Sequence, residues 1–137
     1  MNSGNPITTA LTMAGNAAAI GLALATAQQF AAAAGLAPTP SRRLAIIVEE
    51  LVANLRDHAG LGDADSIEMH LSQYVDGVML VLIDPAAPFD PRLAPAPANL
   101  PPESGGGVGL ALVRAFAASI DYDRTAGRNR LTVHITG

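Results

Sequence analysis

The sequence predicts an α+β fold, a two-layer sandwich in which a mostly antiparallel sheet is covered on one face by three helices. Three observations carry that expectation. Short segments near both ends and in the middle alternate apolar and polar residues with period two, as half-buried strands do. Three longer segments place apolar residues at helical spacing. Their order, β-α-α-β-β-loop-α-β-β, implies a sheet of mainly antiparallel strands with the helices on one side. A chain of 137 residues suits one domain, taken here as residues 1–137.

Taken in order, "PITTALTMA" (6–14) alternates well enough for an opening strand. Asn16 is placed to cap a helix running to about residue 34, with Ile20, Leu24, Ala27, Phe30 and Ala34 as its stripe and Gly35 as its end. After "APTPS", Thr39 or Ser41 is the expected cap of a second helix. "DSIEMHLSQY" sets Ile67, Met69 and Leu71 on one face of a strand, and "DG" at 76–77 signals a hairpin. "VMLVLID" is apolar on both faces, as a central strand is, and it ends in Asp84. Residues 85–107 are rich in Pro, Ala and Gly and lack periodicity, so they read as a mobile lid or binding loop. A third helix then carries Leu110, Val113, Ala117 and Ile120 on one face. "IDYD", a turn at "RTAGRN" and "RLTVHIT" close the chain as a hairpin.

Composition narrows the function. A net charge of −4 and scattered basic residues argue against a nucleic-acid partner. All eight basic residues are Arg. Without Lys there is no P-loop and no Schiff-base chemistry. Without Cys there is no thiol nucleophile and no Cys-built zinc site. The apolar run 17–37 is mostly Ala and Gly, carries Gln28 and Gln29, and has no basic residue before Arg42. It reads as a helix of a cytoplasmic protein, not as a membrane or export segment.

The most informative stretch is "IIVEELVANLRDHAG" (46–60). At about 100° per residue, Leu44, Ile47, Val48 and Leu55 cluster around Leu51, whereas Glu49, Ala53 and Arg56 face water. Glu50, Asn54 and His58 repeat every four residues along the edge of that stripe. A local account serves for each: a helix-end His, an Asn on a loop carbonyl and a solvated Glu. A phosphate and metal site is the other account. An amide oxygen suits Mg²⁺, which keeps most of its waters, and a carboxylate one turn earlier suits a proton acceptor. Asp84 reads either as a routine strand-end carboxylate or as an acceptor for an exocyclic amine, and "ESGGGVGLAL" brings glycines to a helix start, where backbone N–H groups favour phosphate.

These three segments together resemble the ATP-binding domain shared by histidine kinases, gyrase-type topoisomerases, heat-shock chaperones and MutL-type repair proteins. Within that superfamily the chain is most similar to the small anti-sigma factor serine/threonine kinases of bacteria. The likeness covers residues 40–137 by motif and the N-terminal strand and helix by order and length. "EELVANLRDHA" resembles the family's N-box, which implies Glu50 as catalytic base, Asn54 as Mg²⁺ ligand and His58 as the helix-end residue of this branch. "IDPAAPFDP" resembles the adenine box, which implies Asp84 as acceptor for the adenine amino group. The family has Gly where this chain has Ala86. The phosphate-closing box implies nucleotide contacts at Gly105, Gly106, Gly107, Gly109 and Leu110, and the last strand implies one at Thr132.

The resemblance implies ATP and Mg²⁺ as cofactors, a homodimer, and two protein partners. These are a sigma factor held inactive and an antagonist protein phosphorylated on serine. Two other readings stay open: a nucleotide-binding partner switch without phosphotransfer, which Ala86 favours, and the catalytic domain of a split histidine kinase. Against the latter, no helical hairpin bearing a phosphoacceptor His is present; His58 belongs to the N-box, and His70 and His134 fall in strands.

Overall fold

A computed structural model describes residues 6–58, 60–93 and 106–137, with side chains for all of these except 57, 58 and 106–109. The described elements run β1 (Thr8–Ala14), α1 (Ala18–Ala33), α2 (Pro38–His58), β2 (Ser66–Tyr74), β3 (Gly77–Asp84), a 3₁₀ turn (Pro91–Leu93), α3 (Gly106–Phe116), β4 (Ser119–Thr125) and β5 (Arg128–Thr136). The five strands form one sheet in the order β1-β2-β3-β5-β4, with every neighbouring pair antiparallel. The α+β architecture therefore matches the expectation, with β3 at the centre.

Alternation decides which face of the sheet is buried. Ile67, Met69 and Leu71 on β2, Val78, Leu80 and Leu82 on β3, and Leu131, Val133 and Ile135 on β5 all point to the helices and are buried. The other face carries Glu68, His70, Thr132 and His134, half-exposed as strand residues on an open face should be. There Arg128 pairs with Glu68 at 2.7 Å, and His134 lies edge-on to Tyr74.

Helix α2 is held by the stripe the sequence marks out. Leu44, Ile47, Val48, Leu51 and Leu55 are all buried, each contributing roughly 1.5–3 kcal/mol of apolar burial. Rotating the helix would expose them, so its angular setting is fixed. It begins earlier than expected. Pro38 opens it, and the Ser41 N–H already bonds the Ala37 carbonyl at 3.0 Å, so Thr39 and Ser41 lie inside the first turn and do not cap it. Proline lacks an N–H and costs nothing in a first turn, where that N–H has no partner.

Helix α1 also differs in detail. Its buried residues are Ala19, Ala23, Ala27, Phe30 and Ala31, while Ile20 and Leu24 sit half-buried at the margin. Small side chains let the helix approach its neighbours closely, so the alanine row wins the inner position over the bulkier one. The N-cap position is Ala17, which has no side-chain cap; Asn16, one residue earlier, accepts the Ala18 N–H at 3.0 Å.

One turn and one helix end differ as well, while the β4–β5 turn falls within the expected "RTAGRN". The β2–β3 turn residues are Val75 and Asp76, with Gly77 already paired to Tyr74. Gly77 sits at φ 154, and a Cβ there would lie 2.0 Å from the Ile135 carbonyl oxygen. Its glycine serves a close strand approach, not the turn itself. The β4–β5 turn has both central residues at positive φ, Ala126 at 55 and Gly127 at 76, the arrangement that matches the twist of a two-residue hairpin. Helix α3 stops at Phe116, so Ile120 belongs to β4 and not to the helical face.

Candidate functional site

Chain connections gather the candidate residues at one end of the sheet. Asp84 is the last residue of β3, and Glu68 near the start of β2 pairs with Ile83 beside it. Because β2 follows α2 after a short link, the C-terminal end of α2, with Asn54, lies at that same end. Helix α3 joins β4 after two residues, and β4 starts opposite His134 at the far end of the sheet. The N-terminus of α3 consequently points back to the Asp84 end.

A lateral contact completes the arrangement. The Arg43 guanidinium lies 5.6 Å from the centre of the Phe116 ring, joining α2 to the last turn of α3. Arg43, Glu50 and Asn54 fall within a narrow arc on the α2 helical wheel. The polar edge of α2 therefore turns to the α3 side, with Glu50 and Asn54 half-buried there. Burial pushes the Glu50 carboxyl above its ordinary value, and the adjacent Glu49 pushes it further. A carboxyl moved up toward neutrality is better matched to accepting a proton.

Asp84 is 5% exposed at the end of an otherwise apolar strand face. Its Oδ1 accepts the Ala86 N–H at 2.9 Å and the Asn129 amide at 3.0 Å. The register explains the second bond: Asn129 stands directly opposite Asp84 across the β3–β5 ladder. The loop beyond is held in the same way. Arg124 donates to the Ala86 carbonyl at 2.9 Å, and Asn129 donates to the Ala87 carbonyl at 3.0 Å. Ala86 itself is buried, so its methyl is accommodated inside the loop and not displaced to the surface.

The first part of the expected lid is ordered by specific contacts. Arg92 grips the Asp90 carboxylate with contacts of 2.7–3.1 Å and lowers its pKa, chiefly through those side-chain hydrogen bonds. Arg114 on α3 donates to the Pro91 carbonyl at 3.2 Å, joining that turn to the third helix. Residues 85–93 are thus not structureless. The stretch 94–105, Gly105 included, lies outside the described residues.

The remaining expectations separate clearly. Gly106, Gly107 and Gly109 form the first turn of α3 instead of preceding it, and that turn carries no acidic residue to oppose an anion. Leu110 is 4% exposed within the hydrophobic core, so its side chain is committed to packing and only its backbone is available at the helix start. Thr132 alternates with Leu131 and Val133 and faces the open side of the sheet, away from Asp84. The structure thus corrects the expectation of a nucleotide contact there. The residue of β5 that stands directly opposite Asp84, on the same buried face, is Asn129. Its signal was present in the parity of "NRLTVHI", in which Asn129 keeps step with Leu131, Val133 and Ile135. The side chain of His58 lies outside the described residues.

The donor set fits a phosphate-bound magnesium better than a protein-caged metal. Among the described residues no cluster of three or more His, Asp or Glu is placed to hold a metal. Asn54, with Glu50 one turn away, offers few oxygen ligands, which suits an ion that retains waters and takes substrate phosphates.

A profile of the histidine kinase-like ATPase domain matches residues 13–135. The chain belongs to that family. Membership in an ATPase family implies ATP as the bound nucleotide. Among solved structures, the ATPase domain is similar to the crystal structure of the RsbU and RsbW domains of Rv1364c from Mycobacterium tuberculosis. The TM-score is 0.66 at 16% identity, over 95% of this chain and 32% of that one. The domain thus spans about a third of the length of that protein, and at this identity the likeness is one of fold. No curated protein matches. Among the described residues no helix is long and apolar enough to cross a membrane.

Proposed function

We propose that this domain binds Mg²⁺-ATP and acts as a cytoplasmic serine/threonine protein kinase of the anti-sigma factor type. On this reading it is a homodimer that sequesters a sigma factor and phosphorylates a small antagonist protein. The observation that carries the reading is the buried Asp84 carboxylate, held by its own loop and by Asn129 at the end of the sheet where α2 brings Asn54 and α3 brings its N-terminus. The family profile and the likeness to a structure containing an RsbW domain support the same branch.

In this account each residue has a physical task. Asp84 accepts the exocyclic amine of adenine. Asn54 offers its amide oxygen to the metal, and the backbone N–H groups at the start of α3 hold phosphate oxygens with help from the helix dipole. Bound Mg²⁺ supplies charge neutralisation at the phosphates during transfer. Glu50 orients the attacking serine hydroxyl and takes its proton as the γ-phosphoryl group moves to oxygen and ADP departs.

The test is transfer from γ-labelled ATP to candidate antagonist proteins, alongside a plain nucleotide titration. Label on an antagonist serine that disappears with Glu50→Ala supports the kinase. Nucleotide binding without transfer to any antagonist favours the second reading, a nucleotide-gated partner switch. Ala86, buried where the family has Gly, is the feature that motivates that alternative.

A further inference from the structure

Asn129 enters the reading above only as a support of Asp84, yet its carboxamide is 4% exposed and completely engaged. Its Oδ1 accepts from Arg124 Nη1 at 3.0 Å and from the Tyr122 hydroxyl. Its Nδ2 lies 3.0 Å from Asp84 Oδ1, 3.0 Å from the Ala87 carbonyl and 3.3 Å from the Ala86 carbonyl. The orientation of this amide is fixed by its neighbours. A guanidinium only donates, so Arg124 requires the oxygen on its side. The two loop carbonyls only accept, so they require the NH₂ on theirs.

The consequence falls on Asp84. Its Oδ1 faces two donors, the Ala86 N–H and the Asn129 amide, which fill the two lone pairs of that oxygen. None of the hydrogen bonds among the described residues uses Oδ2. The carboxylate is therefore rotationally locked, with one oxygen spent inside the protein and the other left as an acceptor for a ligand. We infer that Asn129 is a positioning residue of the nucleotide site, and that by locking Asp84 it sets the preference for a purine bearing an exocyclic amine. Arg124 and Tyr122 fix Asn129 in turn, so the selectivity device reaches from β4 through β5 to the end of β3.

This inference rests on the nucleotide reading, and its test separates the two. Calorimetric Kd values are measured for ATP and for purine riboside triphosphate, which lacks the 6-amino group, on the parent and on Asn129→Leu. The variant keeps the side-chain volume and loses the donor. Thermal melting checks its folding, and Asn129→Ala is measured in the same way if the leucine variant does not fold. Expected is a parent that prefers ATP, and a variant in which that preference falls at least about fivefold, as for loss of a well-oriented hydrogen bond. If Asn129 served structure alone, both ligands would weaken together and the ratio would stay at the parent value; that result overturns the role of Asn129 and leaves the nucleotide reading standing. A parent without preference between the two ligands overturns both.

Discussion

Asp84→Asn isolates the recognition chemistry, because it changes one oxygen into an NH₂ and leaves the volume alone. Two donors are fixed around the side chain, the Ala86 N–H at 2.9 Å and the Asn129 amide at 3.0 Å, and both need an oxygen. The new amide turns its oxygen to them, which sends its NH₂ to the position that Oδ2 held. The internal bonds survive without their charge assistance, at a cost of about 1 kcal/mol, so the variant folds and melts a few degrees lower. Adenine fares worse, since its amino group now meets a donor. Loss of a hydrogen bond to a charged acceptor is worth about 1.5–3 kcal/mol, or roughly ten- to a hundredfold in Kd. Inosine triphosphate presents an acceptor at the same place and should gain. Isothermal titration of both nucleotides against parent and variant reads the effect. An unchanged preference for ATP in Asp84→Asn refutes the assignment of Asp84 as the adenine acceptor.

Other expectations follow from single sites. Because burial raises the Glu50 pKa in the folded state, stability from this group is fully present below the ordinary carboxylate range and is lost as pH rises through the raised value. Glu50→Gln should therefore melt higher than the parent at pH 7 while losing phosphotransfer, with the gap closing toward about pH 4. A gap that widens on acidification would contradict the burial argument. Ala126 at φ 55 carries the strain of a left-handed alanine. Ala126→Asn should relieve it and raise unfolding free energy by about 0.5–1 kcal/mol in urea titration; a lowered midpoint counts against that turn. Gly77→Ala forces a Cβ against the backbone of β5 and should cost at least about 2 kcal/mol, whereas a near-neutral change would speak against the Gly77–Thr136 register.

The element order and the α2 stripe were legible because each depends on local periodicity. Glu50 and Asn54 could be placed at the edge of that stripe for the same reason. What could not be read depends on pairing across the chain. Asn129 acts on Asp84 across a separation of 45 residues, and only the β3–β5 register brings them face to face. The expectation at Thr132 rests on the resemblance alone, and the parity of its neighbours turns it to the open face. In α1 the bulkier row was expected inside, yet close packing favours the alanines. The turn falls at 75–76 because Gly77 already pairs with Tyr74, at a φ of 154 and against the Ile135 carbonyl where a side chain has no room.

The claim on which the account depends is that Asn54, on the buried edge of α2, holds a magnesium-bound triphosphate. Titration of ATP into the parent and into Asn54→Ala, each with Mg²⁺ and with a chelator, tests it directly. The expected result is binding that requires both Mg²⁺ and Asn54, with both proteins folded by circular dichroism. Equal ATP affinity in the two proteins, or affinity in the parent that is indifferent to Mg²⁺, would contradict it.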